Sequence, residues 1–194
     1  MAVAEDVLKT GLSLEARTSS FGALVDSRRD HAVRLAFRLL RGDAAAAEDV
    51  AQNAFLRAYR ALPGFRGDSS LDTWFYRILI REVHRYRRWH AVRQLWSGDP
   101  AEAPEPVDER PTGDAGLRRR IAAALERLSS SQREAFVLVH LEGFSVAEAA
   151  VMLGKASGTV KSHLHRALAS LRNDLADLRA PERTIDDSSG GATI

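Results

Sequence analysis

The chain has 194 residues, 28% of them charged, with 28 Lys and Arg against 26 Asp and Glu and no cysteine. That length holds one ordinary domain or two small ones, and the missing cysteines exclude disulfides, thiolate metal sites and a cysteine nucleophile. The first twenty residues lack the basic start and apolar core of a secretory signal, and no apolar run approaches the ~20 residues that span a bilayer, so a soluble, cytoplasmic protein is expected.

The net charge of +2 hides a segregation. Residues 20–96 carry +6, residues 116–180 carry +4, and residues 97–115 between them carry −5. Four of the six prolines fall within residues 100–111. Two basic lobes joined by an acidic strap call for a polyanionic partner.

Residues 1–19 show no strong pattern and form a lead. From Phe21 a helical pattern begins, with Leu24, Val25, Ala32, Leu35, Ala36, Phe37, Leu39 and Leu40 as apolar positions. Gly42 and Asp43 end it and cap a second helix, about Ala44 to Leu62, which Pro63-Gly64 stops. The loop Phe65 to Ser69 leads into a third helix from about Ser70 to Arg93, with Ser69 and Asp72 as an N-terminal cap. Residues 97–115 are proline-interrupted, acidic and poor in apolar residues, hence a flexible linker. Helical periodicity resumes at Leu117, Ile121, Leu125 and Leu128, and Ser131 to Glu134 reads as a capping box opening the next helix. The tail, residues 181–194, is polar and glycine-rich and is expected to be disordered. No strand-like alternation occurs. The fold class is all-α: two small helical domains, 20–96 and 116–180, joined by the linker.

The third helix interleaves aromatics with arginines. Arg77, Arg81, Arg85 and Arg88 recur at i, i+4, i+8 and i+11 and form one basic stripe. Leu71, Phe75, Ile78 and Leu79 face the core with Trp74 at its edge, while Tyr76, His84, Tyr86 and Trp89 offer flat surfaces near the stripe. Aromatics beside arginines hold unpaired bases, with stacking contributing about 1–3 kcal/mol per base. The same pattern also suits aromatics in a core and arginines in water.

From Ser145 to Leu175 the chain reads as a helix-turn-helix. Ser145 and Glu148 make an S-x-x-E capping box, Gly154 stands where the chain reverses and positive φ is favoured, and Ser157 caps the second helix. Val160, Leu164, Leu168, Leu171 and Leu175 pack inward. Ser157, Thr159, Lys161, Ser162, His165 and Arg166 are left outward, a set suited to phosphates and base edges. A hairpin with a merely solvated basic face has the same pattern.

The segments AEDVAQNAFLRAYRALPGFRGDSSLDTWFYRI (Ala47 to Ile78) and SSSQREAFVLVHLEGFSVAEAAVMLGKASGTVKSHLHRALASLR (Ser129 to Arg172) resemble the extracytoplasmic-function (ECF) sigma factors of bacterial RNA polymerase. The resemblance covers about residues 20–95 and 116–176, in that family's order. It implies that Glu48, Asp49, Gln52 and Phe55 dock on core polymerase. It implies that the loop Phe65, Arg66, Asp68, Ser69 and Ser70, with Trp74, Arg77, Arg81 and Arg85, captures a flipped base of the −10 element. The second domain would read the −35 duplex through the outward set above. It implies no catalysis, no cofactor and no metal, and as partners core polymerase, promoter DNA and an anti-sigma protein. The sequence departs from the family pattern at Arg81, commonly Asn; at Ser130, frequently Pro; and at Lys155-Ala156, usually less basic.

Two rivals remain at this point. A stand-alone regulator would use the helix-turn-helix without polymerase. An enzyme acting on nucleic acid lacks support, since no acidic cluster has metal spacing and His163 and His165, two apart on a helix, point to different faces. The charge pattern also permits residues 99–114 to lie on the arginine stripe.

Overall fold

The computed structural model describes residues 14–97 and 115–176, and every regular element among them is a helix. The linker on the arginine stripe and the tail lie outside the described residues. In chain order the helices are α1 (Leu14–Leu39), α2 (Ala44–Ala61), α3 (Leu71–Ser97), α4 (Ala115–Arg127), α5 (Ser130–Phe136), α6 (Val146–Leu153) and α7 (Ser157–Asp174). A 3₁₀ turn at Leu62–Gly64 follows α2, and a π-helical turn at Val137–Leu141 continues α5.

The first unit is α1, α2 and α3 packed on one another. Helix α1 begins at Leu14, inside the expected lead. It ends where Arg41 (φ 62) and Gly42 (φ 90) take left-handed backbone, and Asp43 then caps α2 by accepting the Ala46 N–H at 2.9 Å. The buried side of α2 is made of small residues, Ala46, Ala47, Ala51, Ala54 and Ala58 with Val50. Small side chains let neighbouring helix axes approach closely, so Leu35, Leu39, Phe75 and Leu79 can fill the space between and are fully buried.

Helix α3 starts one residue later than the sequence implied, and its cap differs. Ser70, not Ser69, accepts the Thr73 N–H at 3.1 Å. Asp72 is drawn away to α1, where Arg28 grips both of its oxygens. In the second unit the capping box is Ser129 with Gln132, not Ser131 with Glu134, and α7 is preceded by Ala156 with Ser157 already helical. The box at Ser145–Glu148 forms as expected, with Gly154 left-handed at φ 63.

The two units do not stand apart. Helix α3 packs against α6, and one apolar cluster runs through both, joining Tyr76, Ile80 and Val83 to Leu138, Ala149 and Met152. Tyr76, read from the sequence as a flat surface near the stripe, is instead 1% exposed. Its ring meets Phe144 edge-on at 5.3 Å, and burial pushes its hydroxyl up to about 12.

Charges ring this apolar contact. Glu142, at the end of the π-helical turn, is held by His31 and Arg38 of α1. Glu134 of α5 receives His84 at 2.9 Å and Arg87 at 2.6 Å, both from α3. The Arg133 guanidinium donates to the Arg38 carbonyl at 2.9 Å, and Arg41 donates to the Glu126 and Leu128 carbonyls. Burial pushes the Glu134 carboxyl up, but the hydrogen bond and charge of His84, with the charge of Arg87, outweigh it and hold the group below the usual carboxylate range.

Three outcomes follow from this packing. Leu79→Ala, at a fully buried site, should lower stability by about 2–5 kcal/mol in urea unfolding, while Ser145→Ala should remove about 1 kcal/mol of cap. The Glu134 effect has a defined sign: between its lowered folded value and the ordinary ~4.3, the unfolded chain binds more protons, so stability falls with falling pH there and is complete above it. Glu134→Gln should therefore be less stable at pH 7 and show a shallower loss of urea midpoint below about pH 5. An unchanged slope would mean that the carboxylate is not paired in the folded protein.

Candidate nucleic-acid and polymerase interfaces

Three surfaces carry the residues singled out in the sequence. On α2, Glu48, Asp49 and Gln52 are exposed and share its outer side. Phe55 does not join them. It turns inward and stacks on Phe75 with ring centroids 4.4 Å apart. The outer side is completed by two residues the sequence reading passed over, Leu56 (48% exposed) and Tyr59 (53% exposed). With Glu48 and Gln52 they recur at i, i+4, i+8 and i+11, and two large apolar groups on a solvent stripe are the signal that could have found them.

The loop between α2 and α3 divides its labour by burial. Phe65 is 8% exposed and packs its ring against Trp74, 5.1 Å between centroids, so it supports the indole. Arg66 and Asp68 project outward, and Gly67 between them takes φ 76, which a residue with a Cβ adopts with strain. Ser69 and Ser70 are half-buried, and the Ser70 hydroxyl is committed to the start of α3 through Thr73. Trp74, half-buried over Phe65, is the flat group the loop presents.

Along α3 the stripe Arg77, Arg81, Arg85 and Arg88 is exposed, as its spacing implied. Arg85 differs from Arg77 and Arg81 in being tied to Glu82, which Arg57 of α2 also grips at 2.8 Å. Burial raises the Glu82 carboxyl and Arg57 opposes that shift; the trio fastens α3 to α2. The expected flat surfaces are sorted too. His84 is taken by Glu134, Tyr86 donates to Asp43 at 3.3 Å, and Trp89 remains 55% exposed with Arg93 over its ring at 5.2 Å.

In the helix-turn-helix, Val160, Leu164, Ala167 and Leu171 are buried against the rest of the second unit. The opposite face carries Ser157, Thr159, Lys161, Ser162, His165 and Arg166, all exposed. Ser162 back-bonds to the Gly158 carbonyl at 3.0 Å, which leaves its oxygen free to accept. The start of α7 has no side-chain cap, so its first N–H groups are open, and an uncapped helix start favours a phosphate. Arg127 of α4 meets Asp174 at 3.3 Å and steadies the far end of α7. A cleft lies between the second and third surfaces, with Arg77 and Arg81 on one wall and Val151, Lys155 and Ser157 on the other. Among the described residues no cluster of His, Asp and Glu could hold a metal ion, and no helix is long and apolar enough to cross a membrane.

Comparison with known proteins follows the division into two units. Residues 24–92 match the family model of Sigma-70 region 2, and residues 118–171 match that of Sigma-70, region 4. The chain is 34% identical over 168 residues to the ECF RNA polymerase sigma factor SigE of Mycolicibacterium smegmatis, spanning 84% of this chain and 64% of that protein. It is 34% identical over 167 residues to the RNA polymerase sigma-E factor of Streptomyces avermitilis, spanning 84% of this chain and 91% of that one. Among solved structures, the sigma factor RpoE of Bartonella quintana in complex with the anti-sigma factor NepR superposes with a TM-score of 0.68 at 28% identity, covering 80% of this chain and 96% of that one. CnrH in complex with the cytosolic domain of CnrY gives 0.62 at 26% identity, covering 92% and 97%. Two region models in order on two helical units, with relatives 34% identical over most of the chain, leave one conclusion: the chain belongs to the extracytoplasmic-function sigma factors, the promoter-directing initiation factors of RNA polymerase.

Proposed function

We propose that this chain, acting in the cytoplasm, binds core RNA polymerase through the outer side of α2, reads a −35 duplex with α7, and captures unpaired −10 bases at the Trp74 loop. It performs no chemistry of its own. The observation that carries this reading is the pairing, in one chain, of an outward basic face on α7 with a half-buried indole heading an exposed arginine stripe on α3. An isolated duplex reader has no use for a half-buried indole at the head of an arginine stripe.

The residues fit the roles by physics. The exposed face of α7 is centred near Ser162 and is opposite its buried side, so the helix can enter a major groove about 12 Å wide with its start leading. Lys161 and Arg166 supply cations to phosphate or guanine, and Thr159, Ser162 and His165 supply short-range donors and acceptors. On the other unit, extracting a base costs a few kcal/mol, and a pocket with a stacking face offsets that cost. Trp74 is the stacking face, Arg66 and Asp68 flank it, and Arg77 and Arg81 lead the backbone away along α3. On α2, Glu48, Asp49 and Gln52 surround the apolar pair Leu56 and Tyr59, the arrangement of an apolar centre with a polar rim found at protein interfaces. The similar Bartonella quintana protein and CnrH were each solved with a regulatory protein; an anti-sigma partner is proposed for this chain on that likeness.

Run-off transcription with purified core polymerase tests the whole reading: the chain should confer initiation at a subset of a promoter library, and no initiation at any promoter would overturn it. Within an active holoenzyme, Lys161→Ala should either cost about 1–3 kcal/mol at one position of the −35 element, if it contacts a base, or weaken all sequences alike, if it contacts phosphate. Unchanged promoter affinity would remove Lys161 from the interface. Trp74→Ala should reduce open-complex formation with a loss of about 1–3 kcal/mol, while leaving affinity for an isolated −35 duplex as it was.

A further inference from the structure

The cleft between α3 and the turn from α6 to α7 is lined by cations that no carboxylate answers. It holds about 630 Å³, with Arg77 and Arg81 on one wall and Val151, Lys155 and Ser157 on the other, and no Asp or Glu lines it. Among the described residues, the side chains of Arg77, Arg81 and Lys155 have no ion-pair or hydrogen-bond partner. Other arginines of the first unit differ: Arg57, Arg85 and Arg87 each grip a buried carboxylate. The packing of α3 on α6 thus gathers three unneutralised charges around one space, where they repel until an anion joins them.

Size and shape narrow the anion. The volume falls within the range of small-molecule sites and is several times that of one phosphate ion. Arg77 and Arg81 stand four residues apart, about 6 Å along the axis of α3, a span that suits neighbouring phosphoryl groups. Across the cleft, Lys155 supplies a third charge, and the uncapped start of α7 at Ser157 presents open N–H groups beside it. The remaining lining residues, Ala147, Ala150, Gly154 and Ala156, put no long side chain in the way. Val151 is the one large apolar group of the cleft, and it is 48% exposed. A flat base laid on that side chain would take apolar surface of both out of water.

We propose that this cleft binds a nucleoside oligophosphate. Its phosphate chain lies between Arg77 and Arg81 on one side and Lys155 with the first N–H groups of α7 on the other, and its base rests on Val151. One compact ligand thereby draws on both units at once, whereas a promoter would meet α3 and α7 through separate phosphates. Since Arg77, Arg81 and Ser157 also belong to the proposed DNA surfaces, nucleotide and DNA compete for them. That competition rests on the sigma-factor reading; the nucleotide site does not.

Titration calorimetry on the full chain, without polymerase or DNA, tests the site with four probes: ADP, inorganic pyrophosphate, inorganic phosphate and adenosine. ADP should bind most tightly, pyrophosphate next, phosphate at least about tenfold more weakly than ADP, and adenosine not measurably. Arg81→Ala and Lys155→Ala, one on each wall, should each weaken ADP by about tenfold, with helical content by circular dichroism unchanged. Val151→Ala should weaken ADP and leave pyrophosphate as it was. Arg172→Ala removes an exposed cation of α7 outside the cleft and should change neither. Phosphate binding as tightly as ADP, or Arg172→Ala costing as much as Lys155→Ala, would overturn the site and leave only diffuse attraction to a basic surface. Equal affinity for pyrophosphate and ADP would overturn the role of the base. A chain that bound ADP as expected yet initiated at no promoter would sink the sigma-factor reading and leave the site standing; one that initiated but bound no ADP would do the reverse.

Discussion

A carboxylate taken out of water has to be paired, and in this chain the two that matter, Glu134 and Glu142, find their cations across the boundary between the units. That constraint governs the arrangement of the second half of the molecule. The π-helical turn after α5 delivers Glu142 to α1, Gly143 (φ 75) then reverses the chain, and Phe144 is set down on Tyr76. Helix α6 consequently lies on α3, and the start of α7 faces the arginine stripe. Replace the ion pairs by apolar groups of similar volume and the contact would be as strong or stronger. What the charges add is dependence on their partners, and with it a means of release.

Helix α3 is the element all of this shares. Its inner side, Leu71, Phe75, Leu79 and Val83, belongs to the first core. A second side carries Arg77, Arg81 and Arg85 toward solvent. A third, through Tyr76, Ile80, His84 and Arg87, receives the second unit. Three faces at 100° per residue leave no idle stretch, which explains why its sequence is neither cleanly amphipathic nor evenly basic. Glu82, buried between Arg57 and Arg85, fixes the rotation of the helix so that each face meets its own partner.

Local features were legible in the sequence where both partners lie within one helical turn. Ser145 with Glu148, Gly154 and Asp43 are of this kind, and so is the outward face of α7. Where a distant charge competes, the same patterns mislead. Ser129, Ser130 and Ser131 all stand three residues before a polar side chain, and the third pairing looks best by rule; yet Glu134 is claimed by α3, and Ser129 with Gln132 makes the cap instead. Asp72 leaves Ser69 for Arg28 in the same way. Phe55 and Tyr76 show the matching difficulty for aromatics, since helical spacing says which residues share a face but not which neighbour that face will meet. The contact between the units, made by residues some fifty to a hundred and ten apart in the chain, left no sign in local pattern at all.

The chemistry of this boundary separates it from the cores on either side. Within the first unit the packing is apolar, and opening it would unfold the protein. Across the boundary the apolar cluster that joins Tyr76, Ile80 and Val83 to Leu138, Ala149 and Met152 is flanked by ion pairs and carbonyl contacts, with an under-satisfied guanidinium at Arg133 and an unpartnered hydroxyl at Tyr76. Boundaries within one chain are usually of this more polar kind and permit relative motion. When the units part, each of these groups can exchange a poor or absent partner for water or phosphate, and basic surface near +6 on one unit and +4 on the other no longer has to be held in contact. Repulsion between the lobes thus works against the ion pairs that join them. A polyanion between the lobes would screen that repulsion. The contact between the units therefore balances this repulsion against the shared apolar cluster, the pairs of Glu134 and Glu142, and the carbonyl bonds of Arg41 and Arg133.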